Sequence, residues 1–165
     1  MNHRTLFATL LLLGGCSVSG AGLEEAAPEA GVVRYSLQCS SLPREPDARW
    51  IRNEQQLVRA SRQMQGALLE TPPQRVPDVD LRRWNLLLVS AGEKPTAGYR
   101  LTLGHPAFTA NNQSARLNVV LEQPAPDAVV AAVLTHPCML VKVPAGSYHT
   151  VEIRGLEREL KLRLR

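Results

Sequence analysis

Few of the features that mark enzymes and membrane-spanning proteins occur in this sequence. Aromatic residues make up only 4% of its 165 residues, and its apolar runs fall well short of the roughly 20 residues that cross a bilayer as a helix. The sequence also lacks the G-x-S-x-G, H-E-x-x-H, P-loop and G-x-G-x-x-G motifs of frequent catalytic and nucleotide-binding sites. These absences favour a protein that is not an enzyme and that uses no cofactor and no small-molecule substrate.

Two short clusters of polar residues carry metal-binding or acid–base side chains, but neither completes a site. His136 and Cys138 are two residues apart, and no further ligand accompanies them. Asp78 and Asp80 form an acidic pair before a predicted strand, where aspartate is common in turns, so the pair is weak evidence for acid–base chemistry. We therefore predict neither catalytic residues nor a metal site.

The N-terminal segment is organised like a bacterial export signal. A basic start with Arg4 is followed by the apolar run Leu6–Leu13 and then by two glycines and Cys16. This ending resembles the lipobox of bacterial lipoproteins, and the resemblance implies that a signal peptide of residues 1–15 is removed and that palmitate-like chains acylate Cys16. Because Ser17 rather than aspartate follows, we expect the mature protein at the outer membrane, facing the periplasm.

The rest of the sequence divides into a tether and one domain. Residues 16–31 are small and acidic and contain glycine and proline, a composition with too little apolar surface to fold, so we expect a flexible tether. Residues 32–165 are long enough for one domain with a hydrophobic core. They hold 18 basic and 12 acidic residues, a net charge of +6. This charge is compatible with contact to anionic lipid or glycan, but an ordinary solvated surface is the favoured interpretation. The exported location and the lack of interleaved aromatic residues argue against nucleic acid.

Two cysteines remain in the domain, Cys39 and Cys138. Exported proteins with an even number of free thiols usually oxidise them, so we predict a disulfide between these two. It would close a loop of roughly 100 residues, for which the chain-entropy model gives about 4–5 kcal/mol of stabilisation. The alternative, a catalytic cysteine paired with His136 or His149, lacks a nucleophile motif.

One helix is predicted, over residues 53–69. Asn53 is suited to the N-cap, with Gln56 three residues later as in a capping box. Pro72-Pro73 ends the helix. The apolar residues recur at steps of three and four and lie on one face, at Leu57, Ala60, Met64 and Leu68.

The remaining pattern is that of strands. The apolar run at residues 84–91 suits a strand covered on both faces, and residues 139–143 and 148–153 flank a turn typical of a hairpin. The other predicted strands lie at residues 32–38, 99–103, 116–122, 129–134 and 160–164. The sum is a mainly β, α+β fold in which a single amphipathic helix precedes an antiparallel β-sandwich-like or curled sheet.

The most informative segment is the connection at residues 90–99. Gly92 and Gly98 permit positive φ, and Pro95 fixes its own φ while keeping Lys94 extended. A loop with these constraints can present the side chains of Lys94, Pro95 and Thr96 to a partner and loses little conformational entropy when the partner binds.

The segment GEKPTAGY at residues 92–99, which follows an apolar strand, resembles the G-x-K-P-T-G-G-Y signature of the PrcB-type protease-complex subunit family. The likeness extends to the helix, to residues 79–81 and to residues 135–137 before the next apolar strand, and it departs from the family at Leu81 and Ala97. Members are small envelope lipoproteins named for association with a surface protease. The resemblance implies a non-catalytic binding or assembly subunit, with a protein-binding site at Lys94, Pro95, Thr96, Ala97, Gly98, Tyr99, His136 and Pro137.

The same loop is similar to the N-P-T-T-G-Y loop of chagasin-type inhibitors of cysteine proteases, with Lys94 in place of the asparagine. This implies, as an alternative, an immunoglobulin-like domain that inserts loops into a protease cleft. A structural envelope lipoprotein that contacts lipid or glycan through its arginines is a third possibility. The first prediction is a lipid-anchored protein that binds another envelope protein, such as a protease, through residues 94–99.

Overall fold

The computed structural model describes residues 29–39, 41–65 and 75–164. The predicted signal peptide, Cys16, most of the predicted tether, Leu68 and Pro72-Pro73 lie outside the described residues. Within the described residues, the elements in chain order are β1 (Gly31–Ser36), β2 (Asp47–Ile51), α1 (Glu54–Gln63), β3 (Trp84–Ser90), β4 (Arg100–Ala110), β5 (Ser114–Glu122), β6 (Cys138–Pro144), β7 (Thr150–Arg154) and β8 (Leu160–Arg163).

The strands form two separate four-stranded sheets. The first has the order β1-β6-β3-β2 and is antiparallel throughout. The second has the order β4-β5-β7-β8, in which β5 and β7 run parallel and the other neighbours antiparallel. The prediction of a mainly β fold with one helix is thereby confirmed, and the single parallel pair is an addition to it.

One hydrophobic core contains side chains from both sheets. Leu87 and Val89 of β3 belong to the same cluster as Leu117 of β5 and Val151 of β7, and all four are fully buried. Burying each such side chain contributes about 1.5–3 kcal/mol relative to leaving it in water. This core therefore joins the two sheets.

Helix α1 covers the other face of the first sheet. Leu86 and Leu88 of β3 alternate with the residues of the first core and pack in a second cluster with Leu57, Ala60 and Met64 of the helix segment. Because β3 is buried on both faces, its sequence is a continuous apolar run, as predicted.

The start of the helix agrees with its predicted cap. The side chain of Asn53 accepts a hydrogen bond from the backbone N–H of Gln56 at 2.9 Å. The Gln56 side chain in turn accepts from the backbone N–H of Arg52 at 2.7 Å, one residue earlier than in a capping box. The helix ends at Gln63, followed by the buried Met64.

Two predictions of chain order are wrong. The helix does not precede the sheets, because β1 and the unpredicted β2 come before it; β2 is a short edge strand of mixed composition, DARWI, which gives little periodic signal. Residues 139–153 do not form a hairpin either. Strand β6 pairs with β1 and β3 while β7 pairs with β5 and β8, so the turn after Pro144 crosses from one sheet to the other.

The prediction of a strand at residues 129–134 is also wrong. These residues form an irregular connection between β5 and β6 and are largely exposed. Their β-forming composition is not realised because neither sheet offers them a neighbouring strand; their backbone contacts are with a loop.

Candidate protein-binding site

Four strand connections meet at one end of the two sheets. The strand register aligns Ser36, Ser90 and Cys138 across the first sheet and places Arg100 opposite Glu122 in the second. Four connections lie at this end: β1–β2 (37–46), β3–β4 (91–99), β5–β6 (123–137) and β7–β8 (155–159). We call this region the loop end, and we call residues 123–137 the strap.

Polar contacts join connections that belong to different sheets. Arg158 donates to the carbonyl of Pro46 at 2.8 Å and lies 2.9 Å from a carboxylate oxygen of Glu45. Arg44 lies 3.7 Å from the carboxylate of Glu93. Exposed ion pairs of this kind contribute at most about 1 kcal/mol, so their main consequence is to set the relative position of the loops.

A disulfide ties the first connection to the start of β6. Cys39 and Cys138 are bonded; their Cα atoms are 6.2 Å apart and the two residues are 99 positions apart in the chain. Both residues are fully buried. The structure therefore contains the pairing expected from the sequence, and it fixes the end of the strap.

His136 is buried next to this disulfide. Its ring donates a hydrogen bond to the carbonyl of Pro43, while Nε2 has no hydrogen-bond partner among the described residues. Desolvation by burial lowers the pKa of His136, and the nearby Lys94 lowers it further, although the carboxylate of Glu93 and the bond to Pro43 oppose the shift. A charged imidazole here would place an unpaired N–H in the interior, which favours the neutral form.

The β3–β4 loop, residues 91–99, is held by backbone bonds to the strap. Lys94 and Thr135 exchange both backbone hydrogen bonds, at 2.8 and 2.9 Å, and Ala97 N–H donates to the carbonyl of Ala131 at 3.0 Å. The hydroxyl of Thr135 donates to the carbonyl of Thr96 at 2.9 Å. Two segments of irregular structure thus form one rigid unit.

Both glycines of the loop have the positive φ that the sequence predicted, 77° at Gly92 and 92° at Gly98. A Cβ on Gly98 would lie 3.0 Å from Pro124 and 3.3 Å from Val130 of the strap. Only glycine therefore satisfies both the backbone conformation and the close approach at this position.

Lys94 is buried rather than presented to solvent. The residue is 5% exposed, and its ammonium group pairs with the carboxylate of Glu157. The sequence reasoning expected an exposed side chain in this turn, which is wrong. Through this ion pair, Lys94 connects the β3–β4 loop to the β7–β8 connection.

The structure divides the predicted site residues into two groups. The first group is buried and supports the loop from the interior of the domain; it comprises Lys94, His136 and Pro137. The residues with solvent-accessible surface are Pro95 and Gly98, which are exposed, and Thr96, Ala97 and Tyr99, which are half-buried.

The strap adds an exposed apolar surface that the site prediction did not include. Val129 is fully exposed, and Val133 and Leu134 are 50% and 62% exposed. Leu37 of the first connection is 43% exposed, and its carbonyl accepts the N–H of His136 at the end of the strap. In the sequence, this exposed surface is marked by the uncharged run at 128–134. The same composition is equally typical of a buried strand, so it did not predict exposure.

Neither a metal-binding cluster nor a membrane-spanning helix occurs in the described residues. They contain no group of three or more histidine, cysteine or acidic residues placed to hold a metal ion. Within the same ranges, no helix has the length and apolarity needed to span a bilayer. The fold and the site together define a two-sheet β domain with one helix. Its four connections at one end form a rigid, disulfide-linked cluster.

One protein-family model matches part of the chain. Residues 86–144 match the family model described as PrcB C-terminal. The matched segment runs from β3 to the end of β6 and includes the β3–β4 loop and the strap, so the resemblance to the PrcB-type family is confirmed. The family points to a protease-complex-associated subunit. No curated protein and no solved structure matches the chain.

Proposed function

We propose that this protein is a non-catalytic, lipid-anchored envelope subunit that binds another protein, a protease, through the loop end. The observation that carries the proposal is the pre-ordered β3–β4 loop. Its backbone is fixed by the strap and by Gly92 and Gly98, while Pro95 and Thr96 remain accessible at its tip. A loop that is already ordered loses little conformational entropy when a partner binds.

The direction of β1 supports this assignment. Gly31 lies opposite Lys142 and Ser36 lies opposite Cys138, so β1 runs towards the loop end. A chain anchored at Cys16 enters the domain at the far end of β1. The tether then joins the domain at the end opposite the loop end, which leaves the loop end accessible to a protein partner.

The loop test uses two alanine substitutions at the tip. Pro95→Ala with Thr96→Ala removes accessible side chains and leaves the backbone bonds of the loop in place. Surface changes of this kind cost within about 0.5 kcal/mol of folding stability, whereas an interface anchor often contributes 2 kcal/mol or more. We therefore expect partner affinity to fall at least about tenfold at an unchanged melting temperature. The measurement is capture from envelope extract followed by titration of the identified partner.

The matched control lies at the opposite end of the sheets. Asn112→Ala with Gln113→Ala alters the exposed β4–β5 turn and should bind as wild type does. Equal capture by the loop variant, the control and wild type would reject the proposed site.

The chagasin-like alternative is favoured by one feature, the clustering of several loops at one end of a two-sheet domain. The same captured complex separates the two functions. An assembly subunit leaves the peptidase activity of its protease intact or raises it, whereas an inhibitor abolishes it at stoichiometric concentration.

A further inference from the structure

A groove of about 190 Å³ lies between helix α1 and the edge strand β2. Its floor is apolar, because Ile51, Ala60 and Leu88 line it and each is no more than 5% exposed. Its polar lining residues are Arg49, Gln56, Arg59 and Gln63. None of these residues belongs to the four connections of the loop end, so the groove is a separate feature of the fold.

The sheet and the helix direct polar groups to the groove from two sides. Arg49 of β2 lies opposite Leu88 of β3, so both side chains are on the same face of the first sheet, which is the face that α1 covers. On the helix, residues 56, 59, 60 and 63 are three or four positions apart and therefore share one face. The apolar floor thus lies between a row of helix side chains and the edge strand.

Two of the polar groups have no partner among the described residues. Arg59 is exposed and forms no ion pair there, and Gln63 is half-buried and forms no side-chain hydrogen bond there. Arg49 is paired, with its Nε 2.9 Å from a carboxylate oxygen of Asp47. No acidic residue lines the groove, so the guanidinium group of Arg59 leaves it with an excess of positive charge.

This lining fits a carboxylate that is joined to a small hydrocarbon group. Guanidinium groups bind carboxylates through paired N–H donors, and hydrocarbon that settles on the buried floor leaves water. The groove has the volume of about six water molecules at ~30 Å³ each. That volume accommodates one apolar side chain with its carboxylate and does not accommodate a long acyl chain.

The two glutamines favour a peptide over other apolar carboxylates. The side-chain oxygen of Gln56 already accepts from the backbone N–H of Arg52 at 2.7 Å, which leaves its NH₂ group to donate to a carbonyl. Gln63 has both an amide donor and an amide acceptor to offer. The last peptide group of a polypeptide supplies a matching carbonyl and N–H next to its carboxylate, whereas a fatty acid supplies neither.

We propose that this groove binds the C-terminal residue of a polypeptide. The α-carboxylate pairs with Arg59, an apolar side chain lies on Ile51 and Leu88, and the last peptide group bonds Gln63. This inference goes beyond the proposed function, because it assigns a second recognition site to the helix side of the first sheet.

The first arm of the test compares ligands on the full chain. The probe is an array of heptapeptides, immobilised through their N-termini, whose last two positions are varied over all amino acids. Each sequence is present as the free acid and as the C-terminal amide. We expect the bound free acids to end in an apolar residue, and we expect amidation to weaken binding at least about tenfold. Equal binding of acids and amides, or an array that yields no ligand, would overturn the proposal.

The second arm changes one arginine of the helix. Arg59→Gln removes the unpaired guanidinium group and should weaken binding of the selected peptide at least about tenfold. Arg62→Gln is the matched control, because this exposed residue lies on the same helix, loses the same charge and does not line the groove. Its affinity for the peptide should stay within twofold of wild type, and both variants should melt as wild type does. Equal weakening by the two changes would show general attraction to a basic surface and would reject the site.

Competition separates the peptide from other anions. Displacement of the selected peptide by octanoate at a similar concentration would assign the groove to fatty acids, and displacement by inorganic phosphate would assign it to simple anions; either result overturns the proposal. Pro95→Ala with Thr96→Ala should bind the peptide as wild type does, and loss of binding in that variant would place the peptide at the loop end instead. Failure of the groove leaves the proposed function standing, because capture of the protein partner tests that function separately.

Discussion

At the scale of single residues, the ion pair between Lys94 and Glu157 is unequal in its exposure. The side chain of Lys94 is 6% exposed, whereas that of Glu157 is 58% exposed. Removal of the carboxylate leaves a buried ammonium group without an anionic partner, a loss that costs more than the net contribution of the pair. Removal of the ammonium group leaves a carboxylate that water reaches.

This asymmetry predicts different effects for the two halves of the pair. Glu157→Ala should lower the free energy of unfolding by about 1–3 kcal/mol. Lys94→Met keeps most of the apolar stem and should cost less. In the Lys94→Met background, Glu157→Ala should cost almost nothing. Urea denaturation of the four proteins gives the cycle, with Glu159→Ala as the exposed control. Equal costs of Glu157→Ala in both backgrounds would mean that the pair does not couple.

His136 makes stability depend on pH in a defined direction. Burial lowers its pKa in the folded protein, whereas the unfolded chain binds the proton with a pKa of about 6.5. Between these two values the unfolded state holds more protons, so the free energy of unfolding falls as the pH drops below about 6.5. We expect His136→Asn to lose part of this acid sensitivity and the exposed His105→Gln to retain it, as measured by melting from pH 7 to pH 5. Parallel pH profiles of wild type and His136→Asn would contradict this assignment.

At the scale of secondary structure elements, the sequence predicts best those elements that have a single periodicity. Strand β3 is covered on both faces and forms a continuous apolar run, while the helix carries one apolar stripe that includes Leu57 and Ala60. The strand was confirmed, and the helix was confirmed from its cap to Gln63, whereas its predicted continuation through residues 64 and 65 was wrong. The edge strand β2 was missed because its five residues, DARWI, include two charged side chains and show no regular alternation of buried and exposed positions.

The strap shows why sequence alone predicts local preference but not pairing. Residues 129–134 have the composition of a strand, yet whether a strand forms depends on a neighbour, and the neighbour is a property of topology. The same limit explains the wrong hairpin, because residues 139–153 contain two strands and a turn but give no sign that the strands belong to different sheets.

The candidate site was predictable in its backbone and not in its side chains. The positive φ of Gly92 and Gly98 followed from their positions in a tight loop. The burial of Lys94 depends on Glu157, which lies 63 positions later in the chain, and no local pattern connects the two residues. The exposure of the loop tip and the burial of Lys94 beneath it could therefore be known only from the structure.

At the scale of the whole molecule, β1 leads from the N-terminal side of the domain to the proposed site. The strand enters the domain at Gly31 and ends next to the disulfide of the loop end. A strand of six residues spans roughly 20 Å at the usual rise. If Cys16 carries the acyl chains, the anchored segment joins the domain at the end opposite the proposed site, so we expect anchoring and binding to be separable.

This separation predicts that Cys16→Ala abolishes lipidation and leaves binding intact. Acyl chains contribute about 0.8 kcal/mol per buried CH₂ group, and two or more of them give a lasting anchor, so their loss should shift the protein from the membrane fraction to the soluble or unprocessed form. Labelled palmitate incorporation and cell fractionation measure the first effect, and capture of the partner by the purified protein measures the second. Cys39→Ala with Cys138→Ala is the matched control, because it removes the other two thiols and should still incorporate the label.

Label on the Cys16→Ala protein would disprove the lipidation site. Loss of partner capture by the detergent-free Cys16→Ala protein would instead show that the anchor takes part in binding, and the assignment of the site to the far end of the domain would fail.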